Sequence, residues 1–246
     1  MKEVTFIVYR KDPSVSEEEK FEEYKVPVEE GMVVLDGIHY IENNIDPTLA
    51  VRWNCKAARC GSCSAEVNGF PRLMCKTRVE DMGDRIKVSP MKAYPVVKDL
   101  VTDVSQNYDI ERRIPEFKPK EGLQEPWRVD EMDVKRSMEF RRCIECFLCQ
   151  NICHVIREHE SNYVGPRHMV KIASLDMHPL DDVDRSEFLH DEGGAGYCNI
   201  TKCCQEVCPE HIHITDNAII PMKERIVGSY YDPIERAIKK IRRKKR

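Results

Sequence analysis

Residues 55–63 read CKAARCGSC, and a fourth cysteine, Cys75, follows after eleven further residues. The arrangement Cys55-x4-Cys60-x2-Cys63, closed by Cys75, is the ligand spacing of a two-iron cluster. The glycine and small side chains of this stretch let the backbone close around a cluster with its amide N–H groups turned toward sulfur, as the extra negative charge of a reduced cluster requires. A zinc site with four cysteine ligands is the alternative for the same residues, although zinc sites usually pair two short-spaced cysteine hairpins.

Outward from this loop the pattern is that of a small mixed sheet. Val4, Phe6 and Val8, and then Tyr24, Val26 and Val28, alternate with other residues and predict two strands joined across DPSVSEEEK. Val34, Ile38, Ile41 and Ile45 predict one face of a helix. Ala65 and Val67 lead into Asn68-Gly69, a pair suited to a type I′ hairpin, with Leu73 on the return strand, so that the turn carries Cys75 back to the loop. Ile86 and Val88 predict a further strand, and a second helix with Val97, Leu100, Val101 and Val104 inward is expected to close a domain over residues 1–105.

Between Ile114 and Trp127, IPEFKPKEGLQEPW holds three prolines and a glycine, which suits neither a helix nor a central strand, so residues 106–130 read as a linker. Beyond it the periodicity is helical: EMDVKRSMEFRR before Cys143, GPRHMVKIASLDMH with Pro166 in a first turn, and TDNAIIPMKERIVG with Thr215 or Asp216 as cap. Residues 131–235 are expected to form a mostly helical domain, followed by a basic tail, 236–246.

Two cysteine runs mark this second domain. Cys143-x2-Cys146-x2-Cys149-x3-Cys153 is the bacterial ferredoxin run, with His154 in place of the usual proline. Cys198-x2-Thr201-x2-Cys204-x3-Cys208-Pro209 keeps the same offsets and the proline, but has Thr201 where the second cysteine belongs. In two-cluster modules the fourth cysteine of each run ligates the other run's cluster. That crossing gives Cys143, Cys146, Cys149 and Cys208 to a [4Fe–4S] cluster and leaves Cys153, Cys198 and Cys204 for a second one. A threonine hydroxyl is a poor iron ligand beside thiolate, so the second is expected to be [3Fe–4S]. Cys203 lies outside the spacing and reads as a small buried hydrophobe, the alternative being a ligand that completes a second four-iron site.

Other candidates carry less. His211-x-His213, and His154 with His159, lack an HExxH pattern and read as hydrogen-bonded structural histidines. Gly193-Gly194-Ala195-Gly196 has no preceding strand and no Walker lysine, and reads as a flexible entry to Cys198. No flavin or nicotinamide site, nucleophile elbow or acid–base carboxylate pair is legible. No apolar run reaches the roughly 18 residues of a membrane span. The opening MKEVTFIVYRKD lacks a secretory leader, so a reducing compartment is expected and the twelve cysteines point to metal or redox chemistry. Eight of the 39 Lys and Arg fall in residues 236–246, leaving 31 against 43 Asp and Glu in the body. An acidic body argues against nucleic acid, while the tail suits either anionic lipid or solvent.

The combination CKAARCGSC, Cys75 after its hairpin, CIECFLCQNIC and CNITKCCQEVCP, in that order, resembles the iron–sulfur subunit of succinate dehydrogenase and fumarate reductase, of a divergent bacterial type, over nearly the whole chain. The resemblance implies an α+β chain: a plant-type ferredoxin-like (β-grasp) domain, then a mostly helical bacterial-ferredoxin-like domain. It also implies a flavoprotein partner with covalent FAD, membrane-anchor subunits and quinone. Electrons would pass singly between flavin and quinone, with the chain peripheral on the cytoplasmic face of the membrane. Members of the mitochondrial type carry a proline, a tryptophan and a histidine where this chain has His154, Glu158 and Asn199, so their quinone pocket does not carry over. Polar His154 and Glu158 suit proton delivery or a solvated helix turn. Fumarate reductase, or another flavoprotein-to-quinone or flavoprotein-to-thiol electron-transfer subunit, is the nearest alternative; a zinc-binding interaction scaffold and a free-standing ferredoxin are more distant ones.

Overall fold

A computed structural model describes residues 2–158, 162–234 and 237. Along the chain run β1 (Lys2–Asp12), β2 (Ser16–Val28), α1 (Val34–Asn44), β3 (Ser64–Val67), β4 (Phe70–Leu73), β5 (Arg85–Ser89), β6 (Val96–Lys98) and β7 (Val101–Thr102). Helices α2 (Ser105–Arg113), α3 (Glu131–Met138), α4 (Leu148–Ile152), α5 (His154–Glu158), α6 (Pro166–Asp176), α7 (Ser186–Asp191), α8 (Cys203–Glu206) and α9 (Ile220–Ile226) follow. The chain divides into two compact units: Met1–Gln106 with Ile144–Ile152 and Val207–Pro209, and Asn107–Cys143 with Cys153–Glu206 and Glu210–Arg246.

In the first unit a five-stranded sheet has the order β2-β1-β5-β3-β4, with β1 and β5 parallel and the other pairs antiparallel. Val4 faces Val26 and Phe6 faces Tyr24 across β1 and β2. Phe6, Val8, Val26, Ile86 and Val88 are fully buried beneath α1, whose Val34, Leu35, Ile38 and Ile41 cover them. Burying side chains of this size stabilises by roughly 1.5–3 kcal/mol each. The helix lies so close to β1 that a β-carbon on Gly37 would run into the Phe6 ring, and Asp36 holds its first turn by accepting the Val33 N–H.

The expected hairpin is present: Asn68 and Gly69 both take positive φ, 51° and 78°. Three expectations are corrected. The stretch 12–20 is not a loop, because β2 begins at Ser16 and only a tight turn separates it from β1. Val97 to Val104 do not form a helix but the β6–β7 hairpin, with Val97 about half exposed. The reason is Asp99, left-handed at φ 46°, whose buried carboxylate accepts from Arg10 Nε (3.0 Å), Lys11 N (3.0 Å) and Ala50 N (2.9 Å). Those bonds fix a turn that local periodicity does not encode. Ile45, likewise, falls beyond α1 and is exposed.

In the second unit α6 packs on the 214–226 segment through Met169, Ile172, Ala173, Ala218, Ile219 and Met222, all buried. Pro166 starts α6 as expected. The 214–226 helix opens in a wide, π-type stretch, Ile214–Ile219, with His213 at its cap position, so neither Thr215 nor Asp216 caps it. The proline-bearing stretch 114–127 is irregular but held in place. Arg185, fully buried, pairs with Asp181 and donates to the carbonyls of Pro115 (2.9 Å) and Glu116 (3.0 Å). The basic stretch 236–246, apart from Ala237, lies outside the described residues, as does His159.

Candidate iron–sulfur sites

The loop before β3 arranges its amides around sulfur. The N–H groups of Ala57 and Arg59 donate to Cys55 Sγ (3.3 Å each), that of Ala58 to Cys75 Sγ (3.3 Å) and that of Cys55 to Cys60 Sγ (3.5 Å). Lys56, Ala58 and Gly61 are left-handed (φ 53°, 54° and 69°), which turns these amides inward at a cost of about 1 kcal/mol or more for each non-glycine residue. The β3–β4 hairpin returns the chain, Met74 N donating to Cys63 O (3.1 Å), and so brings Cys75 beside Cys63.

Burial pushes the Cys63 thiol up to about 12, helped by the nearby charges of Cys75 and Cys60. Cys60 is also partly desolvated, yet hydrogen bonds from Ser62 and the Cys55 amide bring it down to about 7. Four sulfurs, one of them buried where a thiolate needs a cation, with donors already turned toward them, fit a two-iron cluster.

The two later runs have one local conformation. A 3-10 turn precedes each first cysteine, Phe140–Arg142 before Cys143 and Ala195–Tyr197 before Cys198. Both cysteines are extended, at φ −61°, ψ 119° and φ −69°, ψ 121°. Glu145 and Phe147 are then left-handed, and so are Ile200 and Lys202 at the same offsets. Short helices, α4 and α8, start at the same place in each. Thr201 therefore stands in the backbone environment of Cys146, Cys204 in that of Cys149 and Cys203 in that of Leu148, but Cys203 is only partly buried where Leu148 is fully so, against the expectation of a buried side chain.

Cys146, Cys149 and Cys208 fall in the first unit and Cys143 in the second. In the second unit Cys153, Cys198 and Cys204 come together with Cys203: burial raises the Cys153 thiol and pushes Cys204 up to about 12, and the charges of the neighbouring cysteines add to both shifts. Thr215 Oγ1 lies 3.3 Å from Cys204 Sγ, and Thr201 Oγ1 3.5 Å from Cys203 Sγ. Among the described residues no three His, Cys, Asp or Glu side chains are set to hold a single metal ion, but cluster thiolates bind different irons and need no such convergence.

Of the histidines, His154 and His213 are hydrogen-bonded as expected. His213 Nδ1 and its backbone N–H both meet Glu139 Oε1 (2.7 and 2.6 Å). His154 Nε2 meets Asn199 Nδ2 at 2.7 Å, joining two of the positions that depart from the mitochondrial pattern. Gly193-Gly194 is not a flexible entry but a crowded one, since a β-carbon on Gly194 (φ 58°) would fall 2.6 Å from Asn162 O. Sequence reasoning missed Tyr163, Thr215 and Ser64, whose hydroxyls lie at the runs without any spacing signal.

Fold and cysteine loops together define an iron–sulfur protein built from a two-iron ferredoxin-like domain and a dicluster domain. The 2Fe-2S iron-sulfur cluster binding domain family matches residues 5–109, and the 4Fe-4S dicluster domain family matches residues 139–212. The chain is 30% identical, over 87% of its length and 89% of the relative's, to the succinate dehydrogenase iron-sulfur subunit of Bacillus subtilis. It is 34% identical, over 95% of its length, to a fumarate reductase (CoM/CoB) subunit of Methanothermobacter marburgensis, of which it spans about half, 47%. A chain of the Mycobacterium smegmatis Sdh1 complex in the apo form superposes with a TM-score of 0.90 at 56% identity, covering 94% of this chain and 98% of that one. The chain belongs to the iron–sulfur subunit family of succinate dehydrogenase and fumarate reductase. No helix among the described residues is long and apolar enough to cross a membrane.

Proposed function

We propose that the chain is the electron-transfer subunit of a succinate:quinone oxidoreductase, passing electrons one at a time between the FAD of a flavoprotein subunit and quinone at a membrane anchor on the cytoplasmic face. Bound [2Fe–2S], [4Fe–4S] and [3Fe–4S] clusters would supply the one-electron chemistry that couples a two-electron flavin to stepwise transfer. Cys55, Cys60, Cys63 and Cys75 would hold the first, Cys143, Cys146, Cys149 and Cys208 the second, and Cys153, Cys198 and Cys204 the third. The observation that supports this reading is the shared conformation of the two later runs, in which Thr201 has the backbone setting that Cys146 has in the first.

The chain's own residues keep thiolates buried, aim amides at sulfur and link the first two loops: Ser64 Oγ lies 2.8 Å from both Gly61 O and Cys146 O and shares its one proton between them. Metal analysis with low-temperature EPR of the anaerobically purified chain tests the inventory. About nine irons, an oxidised three-iron signal and a two-iron signal after reduction are expected. About ten irons without the three-iron signal would make Cys203 a ligand, and zinc in folded, oxygen-protected protein would overturn the reading. The Methanothermobacter relative, named for fumarate reduction with CoM/CoB, favours as second reading a fumarate reductase that exchanges electrons with thiols. Turnover of the assembled complex with succinate and with fumarate separates the two.

A further inference from the structure

Two buried hydroxyls in the second unit, those of Tyr163 and Thr215, belong to segments packed at the last cysteine run. Tyr163 is 6% exposed, and its hydroxyl oxygen, sealed from solvent, makes no hydrogen bond of ordinary geometry among the described residues. Burying a hydroxyl without a partner costs roughly 1–3 kcal/mol, so such a group marks an acceptor still to be supplied. Its position is fixed by the entry to Cys198. Val164 N donates to Gly193 O (3.2 Å), and Gly194 packs against Asn162 and Tyr163 one 3-10 turn before that cysteine. Burial raises the phenol well above its usual range, and the nearby charges of Cys198, Cys153 and Cys204 raise it further.

Thr215, 1% exposed, approaches Cys204 Sγ at 3.3 Å while its own N–H is taken by Gln205 Oε1 (3.2 Å). A cysteine that ligates iron has lost its S–H proton, so in that contact the threonine hydroxyl must be the donor.

We infer that Tyr163 and Thr215 are positioning residues that donate hydrogen bonds to the sulfurs of Cys198 and Cys204 and thereby raise the reduction potential of the cluster those cysteines hold. The inference rests on the three-iron reading above. Reduction adds one electron from the flavoprotein side, makes and breaks no bond and leaves both hydroxyl protons on their oxygens. It does increase the negative charge on the thiolates, and a hydrogen bond to the more charged acceptor is the stronger one. Both donors therefore favour the reduced state and make this site an electron sink.

The test is an EPR redox titration of the three-iron signal in the assembled complex carrying Tyr163→Phe, Thr215→Val or both. Each single change is expected to lower the midpoint, by about fivefold in the oxidised-to-reduced ratio at fixed potential, and the pair to lower it further, while Thr215→Ser restores the native value. A retained signal with an unmoved midpoint overturns the inference. Native protein without any three-iron signal overturns the cluster reading beneath it. Should Tyr163→Phe lose the cluster, 3-fluorotyrosine at position 163, a stronger donor of nearly the same size, is expected to raise the midpoint. An unchanged value there refutes the role of Tyr163.

Discussion

Gly61 and Cys146 are in backbone contact: a β-carbon on Gly61 would fall 2.5 Å from Cys146 Cα and 2.9 Å from its Cβ and N. With Ser64 Oγ bridging Gly61 O and Cys146 O, the two-iron loop and the start of α4 are packed with no room for a side chain between them. Two cysteine loops more than eighty residues apart in sequence are thus brought within one bond network.

Gly61→Ala is expected to destabilise the protein by at least about 2–4 kcal/mol, because left-handed strain and overlap with backbone atoms add. Gly69→Ala provides the contrast. It has a similar φ of 78° but nothing within 4 Å, so it should cost only about 1 kcal/mol. Denaturant unfolding of the two variants checks the difference, and equal losses would show that the Gly61–Cys146 contact is not tight.

Thr201→Cys should convert three irons to four, since Ile200 and Lys202 already hold the conformation that Glu145 and Phe147 give Cys146. Iron content should rise to about ten per chain and the oxidised three-iron signal should disappear. An unchanged cluster would contradict the crossed ligand assignment.

Cys203→Leu places in the last run the side chain its counterpart has at Leu148. It should leave iron content and the three-iron signal intact. Loss of iron in folded protein would make Cys203 a ligand.

His168 is buried between two carbonyls, Val164 O (2.6 Å) and Asn107 O (3.0 Å). Burial, more than any neighbour, holds its pKa below the usual value, with Arg167 adding in the same direction. An unfolded histidine takes up a proton near pH 6.5 and the folded one only at lower pH, so stability is full above that pH and declines as pH falls from about 6.5 toward the folded value. Unfolding free energy should drop as pH falls below about 6.5, and in His168→Gln that part of the drop should vanish. The same slope in both proteins would assign it to other groups.

The cysteine loops were more legible than the fold around them. Cysteine spacing is local, and Asn68-Gly69 encodes its turn in two residues, so both could be read directly. The β6–β7 hairpin could not. Its turn at Asp99 depends on Arg10, 89 residues away, which also reaches Tyr24, Asp46, Glu22 and Thr48. A valine and leucine pattern at helical spacing gives no sign of that tie. Tyr163 and Thr215 were invisible for a related reason: a hydroxyl serving a sulfur has no characteristic spacing, and Thr215 looked like a helix cap because threonine commonly is one.

The first unit draws on three separate stretches of chain, the last being Val207–Pro209. During synthesis its sheet can form early, but its packing is not complete until residue 209 has left the ribosome, after most of the second unit has been made. Cutting the chain between residues 106 and 143 would therefore not release two finished modules, since the N-terminal fragment would lack α4 and Cys208. Completion of the first unit therefore spans most of the polypeptide, and a premature stop anywhere before residue 209 leaves that unit unfinished.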